Sequence, residues 1–158
     1  MLAAVDPANP YGSLLPWSHL AEADEAAQSS HGMARTSGAS VLLVAGDLVA
    51  YLRRGNPALK LWLPAAHPER DEYARAAARE LARVALLRRS PRGGLLISEI
   101  NAKPAREHFF APFLEQSGFA ATALGYQMRR QRPSTPEDEA ESEDELDSDS
   151  TGQDEENA

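Results

Sequence analysis

The residues best suited to recognition chemistry are arginines: Arg75, Arg79 and Arg83, continued by Arg88, Arg89 and Arg92. The first three recur every four residues, which places them on one side of a helix, and the others fall in its last turn and the loop beyond. A guanidinium offers a planar fork of donors, so this spacing suits contact with successive phosphates of DNA. The plainer reading is a solvated helical face, with Asp71 and Glu80 as local ion-pair partners of Arg75 and Arg83. Tyr11 and Trp17 are a second candidate pair, because flat rings stack on unpaired bases. Packing of their loop against the rest of the domain is the stronger of the two readings for that pair.

Catalytic constellations are scarce. The phosphate-cradling Gly-x-x-x-x-Gly-Lys-Ser/Thr loop does not occur, and the only lysines, Lys60 and Lys103, lack that setting. ATP hydrolysis is therefore not expected of this chain. Asp144-Glu145-Leu146-Asp147 has the letters of a helicase Asp-Glu-x-Asp box, but no apolar strand precedes it to hold magnesium at a motor cleft. His19, His31, His67 and His108 are scattered without the spacing that sets two metal ligands on one face. Cysteine is absent, which excludes disulfides, thiolate metal sites and thiol nucleophiles. Ser40 and Ser98 lie in β-type runs with no evident base, and no Gly-x-Ser-x-Gly elbow accompanies them. Asp6, Asp47 and Glu99 are the carboxylates to inspect for acid/base work, although Asp6 reads more simply as a cap before Pro7 and Asp47 as a turn residue. No residue is assigned as catalytic or as a metal ligand.

The elements that must position these groups follow from periodicity. Pro7, Pro10, Gly12 and Pro16 make residues 1–17 a proline-rich ordered loop, whose Tyr11, Leu14, Leu15 and Trp17 call for a packing partner. Residues 18–37 are small and polar, as in a flexible linker. Ser40–Val44 and Leu48–Leu52 read as strands joined across Gly46-Asp47, and Leu59–Leu63 adds a third strand to an antiparallel meander. Pro64, Pro68 and the acids Glu69, Asp71 and Glu72 announce a helix of about twenty residues, with Tyr73, Ala77, Leu81, Val84 and Leu87 toward the sheet. Leu95–Ile100 reads as a strand, Arg106–Ser117 as a second amphipathic helix through Phe109, Phe110, Phe113 and Leu114 that stops at Gly118, and Phe119–Met128 as one last strand. The expected class is α+β: a small antiparallel sheet or partial barrel, a three-strand meander plus one or two further strands, packed with two helices, over residues 38–130.

The formal charge of −8 averages two unlike segments. Residues 133–158 hold 12 of the 24 acids and none of the 16 bases, so residues 1–132 carry about +4. Residues 131–158 are too poor in large apolar groups to offset chain ordering and read as a disordered acidic tail. It is either a solvating tail or a competitor that folds back on basic surface. No apolar stretch is long enough for a membrane span and the N-terminus lacks the pattern of a signal peptide, so a cytoplasmic protein is expected.

In this order, the segment Asp6-Pro7-Ala8-Asn9-Pro10-Tyr11-Gly12 with Leu15-Pro16-Trp17, the hairpin Val41 to Gly55, the Ala/Arg helix and the helix-Gly-Phe-strand ending resemble the extreme C-terminal part of Lhr-type (large helicase-related) proteins. The likeness runs from about Leu2 to Arg130, and its most specific pieces are Asp6–Trp17 and Val41–Gly55. The resemblance implies an ATP-dependent 3′-5′ DNA helicase with a role in repair, its motor holding ATP and Mg2+, and a C-terminal region of winged-helix repeats and a small β-barrel-like module. It also implies, for some members, a DNA glycosylase activity in that region. On this view the chain is a fragment without the motor: an accessory module that packs on the upstream winged-helix and motor domains and touches DNA. The alternatives are a share in a base-excision module or a free-standing protein-interaction domain.

Overall fold

The computed structural model describes residues 1–17, 33–87 and 94–128. Six strands form one sheet: β1 (Leu2–Ala3), β2 (Ala39–Val44), β3 (Asp47–Arg53), β4 (Ala58–Leu61), β6 (Glu99–Ile100) and β7 (Lys103–Pro104). A second sheet holds β5 (Leu95–Ile97), β9 (Gly125–Met128) and β8 (Ala120–Thr122), in that spatial order. The long helix α1 spans Glu69–Leu87, and a 3-10 turn at Ala105–Glu107 precedes the short helix α2, Ala111–Gln116. The chain is an α+β domain with the expected meander β2-β3-β4 at its centre. The large sheet is mixed rather than purely antiparallel, because β4 pairs with β6 in parallel, Ala58 opposite Glu99 and Leu59 opposite Ile100.

Both faces of the meander are covered, and a bulge makes this possible. Leu42 pairs with Ala50 but Leu43 pairs with Leu48, so Val49 is the extra residue of β3. A bulge interrupts the strict alternation of side chains. Val49 and Ala50 consequently both belong to the core under α1, together with Leu42, Leu52, Leu59 and Leu61. Leu48, Tyr51, Val41 and Trp62 belong to a second core on the opposite face, closed by Ala4, Tyr11 and Trp17 of the N-terminal loop. Trp62 is fully buried there.

The hairpin turn differs by one residue from the sequence expectation. Val44 pairs with Asp47, so the turn residues are Ala45 and Gly46, with φ of 52° and 98°. Positive φ at both central positions matches the twist of the flanking strands. Asp47 instead opens β3, and its carboxylate accepts a hydrogen bond of 2.9 Å from the Tyr73 hydroxyl of α1. That bond raises the Tyr73 pKa above the usual phenol value, because it stabilises the protonated ring oxygen.

Helix α1 starts with the predicted acids, but its buried face is rotated from the one expected. Ala74, Ala77, Ala78, Leu81, Ala82 and Ala85 are buried, whereas Tyr73 and Val84 are half-buried and Leu87 is 64% exposed. Alanine lacks a bulky side chain and admits close approach to the sheet, so the alanine stripe wins the interface over the line of larger residues. The strand expected over 95–100 breaks at Ser98 into two strands of different sheets. Around the break, the Ser98 N–H donates to Pro57 O and its carbonyl accepts from Ala105 N. The last expected strand is a hairpin, β8 against β9, with Thr122 opposite Gly125. The linker and tail assignments for 18–32 and 131–158 lie outside the described residues.

Candidate functional site

Helix α1 displays Arg75 and Arg79 on its exposed side. Arg83 is exposed too, but its Nε and Nη2 donate to the two Glu80 oxygens at 2.7 and 2.8 Å. Glu80 also accepts from the Met1 ammonium at 2.9 Å. Hydrogen bonding to Arg83 first, and then to the ammonium, outweighs desolvation and lowers the Glu80 pKa to about 2. Arg83 thus already has a carboxylate partner within its own helix. Arg88, Arg89 and Arg92 lie outside the described residues.

Arg75 is placed differently from its two helical neighbours. Its guanidinium lies 6.0 Å from the centre of the Phe113 ring. Five residues earlier, Arg70 lies 4.9 Å from the centre of the Phe109 ring. The two rings meet edge to face at 6.2 Å, giving a strip in the order Arg70, Phe109, Phe113, Arg75. Phe109 is 42% exposed. Cations over aromatic faces are drawn by the ring quadrupole, and exposed pairs of this kind are worth about 0.5–1 kcal/mol each.

The strip borders a cleft of about 270 Å3 whose lining includes Leu61, Leu63 and Pro64 on one wall and Arg70, Lys103 and Glu107 at polar positions. Four pieces of chain meet there: the end of β4, the start of α1, the β6-β7 hairpin and the 3-10 turn. Asn101 lines the cleft and is 2% exposed. Its side chain holds the two pieces of sheet together, because its Oδ1 accepts from Leu61 N at 2.9 Å and its Nδ2 donates to Leu61 O at 2.8 Å. His108, also in the lining, accepts from Phe110 N on Nδ1 at 3.2 Å. The Arg70 Nε is buried with no hydrogen-bond partner and lies 3.7 Å from Asp71 Oδ1.

The cleft was not legible in the sequence, where Phe109 appears on the inner side of a single helix from Arg106 to Ser117. That helix is interrupted: a 3-10 turn ends at Glu107 and α2 begins at Ala111. The signal was the adjacency of Phe109 and Phe110, since neighbouring residues of a helix point about 100° apart and cannot share one narrow face. Phe110 is the one that is buried.

The aromatic pair of the N-terminal loop is engaged in packing. Tyr11 is 2% exposed and its hydroxyl donates to Gly46 O at 2.9 Å. Trp17 meets Tyr51 edge to face at 5.4 Å. Asn9 and Arg35 hold this loop, and neither was singled out from the sequence. Asn9 Nδ2 donates to Ala4 O at 2.9 Å, and Arg35 Nη1 donates to Asn9 O at 2.6 Å and Tyr11 O at 3.1 Å. Asp6 accepts from Ala8 N at 2.8 Å, as its cap reading requires. Glu99 is exposed in β6, Ser40 and Ser98 are half-buried, and His67 is exposed beside Asp71 at 3.1 Å; His19 and His31 lie outside the described residues. Among the described residues no group of three metal-ligating side chains comes together, and no helix is long and apolar enough to cross a membrane.

Fold and surface together define a small α+β domain with two cores and a face on which arginines lie over aromatic rings. Comparison with known proteins places it. A protein of Escherichia coli (strain K12) named Lhr helicase/uracil glycosylase is 32% identical over 126 residues, 78% of this chain and 7% of that protein. One of Mycolicibacterium smegmatis (strain ATCC 700084 / mc(2)155), named Lhr helicase/probable uracil glycosylase, is 48% identical over 59 residues, 37% of this chain and 4% of that protein. The chain is related to the Lhr-type helicases and spans less than a tenth of the length of these relatives. No family model matches it, and no solved structure does so significantly.

Proposed function

We propose that the chain is a non-motor accessory module of an ATP-dependent 3′-5′ DNA helicase of the Lhr type, acting in DNA repair in the cytoplasm. In this reading it packs against the winged-helix and motor domains of the parent protein and touches DNA. The observation that carries it is the match of 78% of this chain to 7% of a protein named as a helicase, the proportion of a part to a large machine. ATP and Mg2+ belong to the parent's motor, since the chain has no lysine-bearing phosphate loop to hold them. DNA contact falls to the exposed Arg75 and Arg79, with Arg88, Arg89 and Arg92 continuing the series; Arg83, held by Glu80, contributes least.

The test is single-stranded DNA binding by the chain against salt concentration. Replacing Arg75 and Arg79 by Ala lowers affinity and flattens the dependence of log K on log salt by about 0.7 for each phosphate that is no longer neutralised. Unchanged affinity and slope reject DNA contact through this face. Measurable DNA-stimulated ATP turnover by the purified chain rejects the non-motor assignment.

A second reading rests on the names of both relatives, which include a uracil glycosylase. Here the chain contributes one wall of a base-excision module, which needs a pocket for an extruded nucleotide and a group that activates water. Release of uracil from a uracil-containing single strand by the purified chain, above a no-protein control, would favour this reading over the accessory one.

A further inference from the structure

The strip and its cleft combine two chemistries on one small surface. Arg70 and Arg75 are cations set over the rings of Phe109 and Phe113. Leu61, Leu63 and Pro64 give the adjoining cleft an apolar wall. A cleft of about 270 Å3 is below the ~300–1,000 Å3 range of drug-sized ligand sites, and it suits one aliphatic side chain with charged neighbours. The carboxylate in its lining is Glu107, and Asp71 beside it lies 3.7 Å from Arg70 Nε and is engaged by His67 at 3.1 Å. The complementary ligand is an acidic peptide that carries one large apolar residue.

The chain contains such a peptide. Residues 133–158 have 12 acids and no base, and Leu146 is their one large apolar residue, set in Asp144-Glu145-Leu146-Asp147. Reach is not limiting: the 18 residues from Met128 to Leu146 can extend to at most about 60 Å, against a radius of gyration of about 14 Å for a domain of this size. Tethering also raises the local concentration of the segment to the order of millimolar, so weak contacts suffice. We propose that the acidic tail docks on the Arg70-Phe109-Phe113-Arg75 strip, with Leu146 against the apolar wall of the cleft and its flanking carboxylates on Arg70 and Arg75. This does not depend on the helicase reading. It makes the strip a self-covered surface, open when salt or a competing polyanion displaces the tail.

The absence of cysteine makes the test direct, because Ser148→Cys gives the full chain a unique site for a nitroxide label. At about 50 mM salt the label weakens the backbone amide signals of Arg70, Arg75, Phe109 and Phe113 by about half or more, and the signals recover at about 500 mM salt, where the Debye length falls to a few ångströms. They also recover at low salt in Leu146→Ser and in Arg70→Gln/Arg75→Gln. No weakening, weakening spread evenly over the domain, or weakening centred on Arg79 and Arg83 overturns the proposal. So does a strip whose signals shift on adding oligothymidylate but stay unaffected by the label, which would assign the surface to nucleic acid.

Discussion

Glu80 joins the N-terminus to helix α1 and carries the clearest pH dependence in the domain. Its folded pKa of about 2 lies below the ordinary 4.5, so its contribution is fully present above pH 4.5 and is lost as pH falls toward 2. With its side chain 23% exposed, solvent screens the pair, and Glu80→Gln is expected to cost about 1 kcal/mol at pH 7. In urea unfolding the gap between variant and parent should close over the window from pH 4.5 to 2; a gap unchanged with pH would mean that the ion pairs are not its source. Two glycines with positive φ make a second residue-scale contrast. A Cβ on Gly125 would lie 2.3 Å from Ile97 O and 2.7 Å from Ser98 Cα, both backbone, whereas one on Gly46 meets nothing within 4 Å. Gly125→Ala should therefore cost about 3 kcal/mol or more, and Gly46→Ala only the ~1 kcal/mol of an unfavourable backbone region. Thermal unfolding of the two variants checks the ordering. Turn chemistry at Gly46 was readable in the sequence, but the crowding at Gly125 comes from a strand distant in the chain.

Among the elements, the seam between β4 and the β6-β7 hairpin is carried beyond the backbone pairing of Ala58 with Glu99 and Leu59 with Ile100 by one side chain. Asn101 reproduces a backbone pairing with Leu61, and Asn101→Ala would leave the buried Leu61 N–H and carbonyl without those partners. The expected loss is about 2–3 kcal/mol, with Asn101→Asp also destabilising because a carboxylate cannot donate to Leu61 O. Denaturant unfolding tests this, and a near-neutral Asn101→Ala would show that the seam is held elsewhere. The N-terminal loop depends in the same way on Arg35, whose guanidinium serves the carbonyls of Asp6, Asn9 and Tyr11 at once. A lysine has no such planar fork, so Arg35→Ala is expected to speed the amide exchange of Tyr11 and Arg35→Lys is expected not to restore it. Helix α1 was legible from its prolines, acids and apolar spacing, though not its buried alanine stripe, and the meander from its β-branched and leucine runs. The split at Ser98 was not, because it is tied to Pro57, a residue distant in sequence. The interruption before α2 was missed although its hydrogen bonds, Ala111 N to His108 O and Phe110 N to His108 Nδ1, are local.

On the scale of the whole molecule, the central meander is closed on one side by α1 and on the other by the N-terminal loop. Removing residues 1–17 would expose Tyr51, Trp62 and Leu48 together. A large apolar patch of this kind binds hydrophobic dyes and promotes association. Such a variant should therefore bind anilinonaphthalene sulfonate and unfold less cooperatively, and a monomeric, dye-free, cooperatively unfolding product would mean the second core is dispensable. By itself the sequence determined the α+β class, the hairpin, the acidic start of α1, the segregation of charge into the last 26 residues and the likeness to Lhr-type helicases. These are local or compositional properties, set by periodicity, turn chemistry and charge. Only the tertiary structure decided which arginine meets a ring and which meets a carboxylate, that Phe109 faces solvent while Phe110 is buried, and that a cleft opens between β4, α1 and the β6-β7 hairpin. Those outcomes depend on contacts between residues far apart in the chain, and no spacing within one element encodes them.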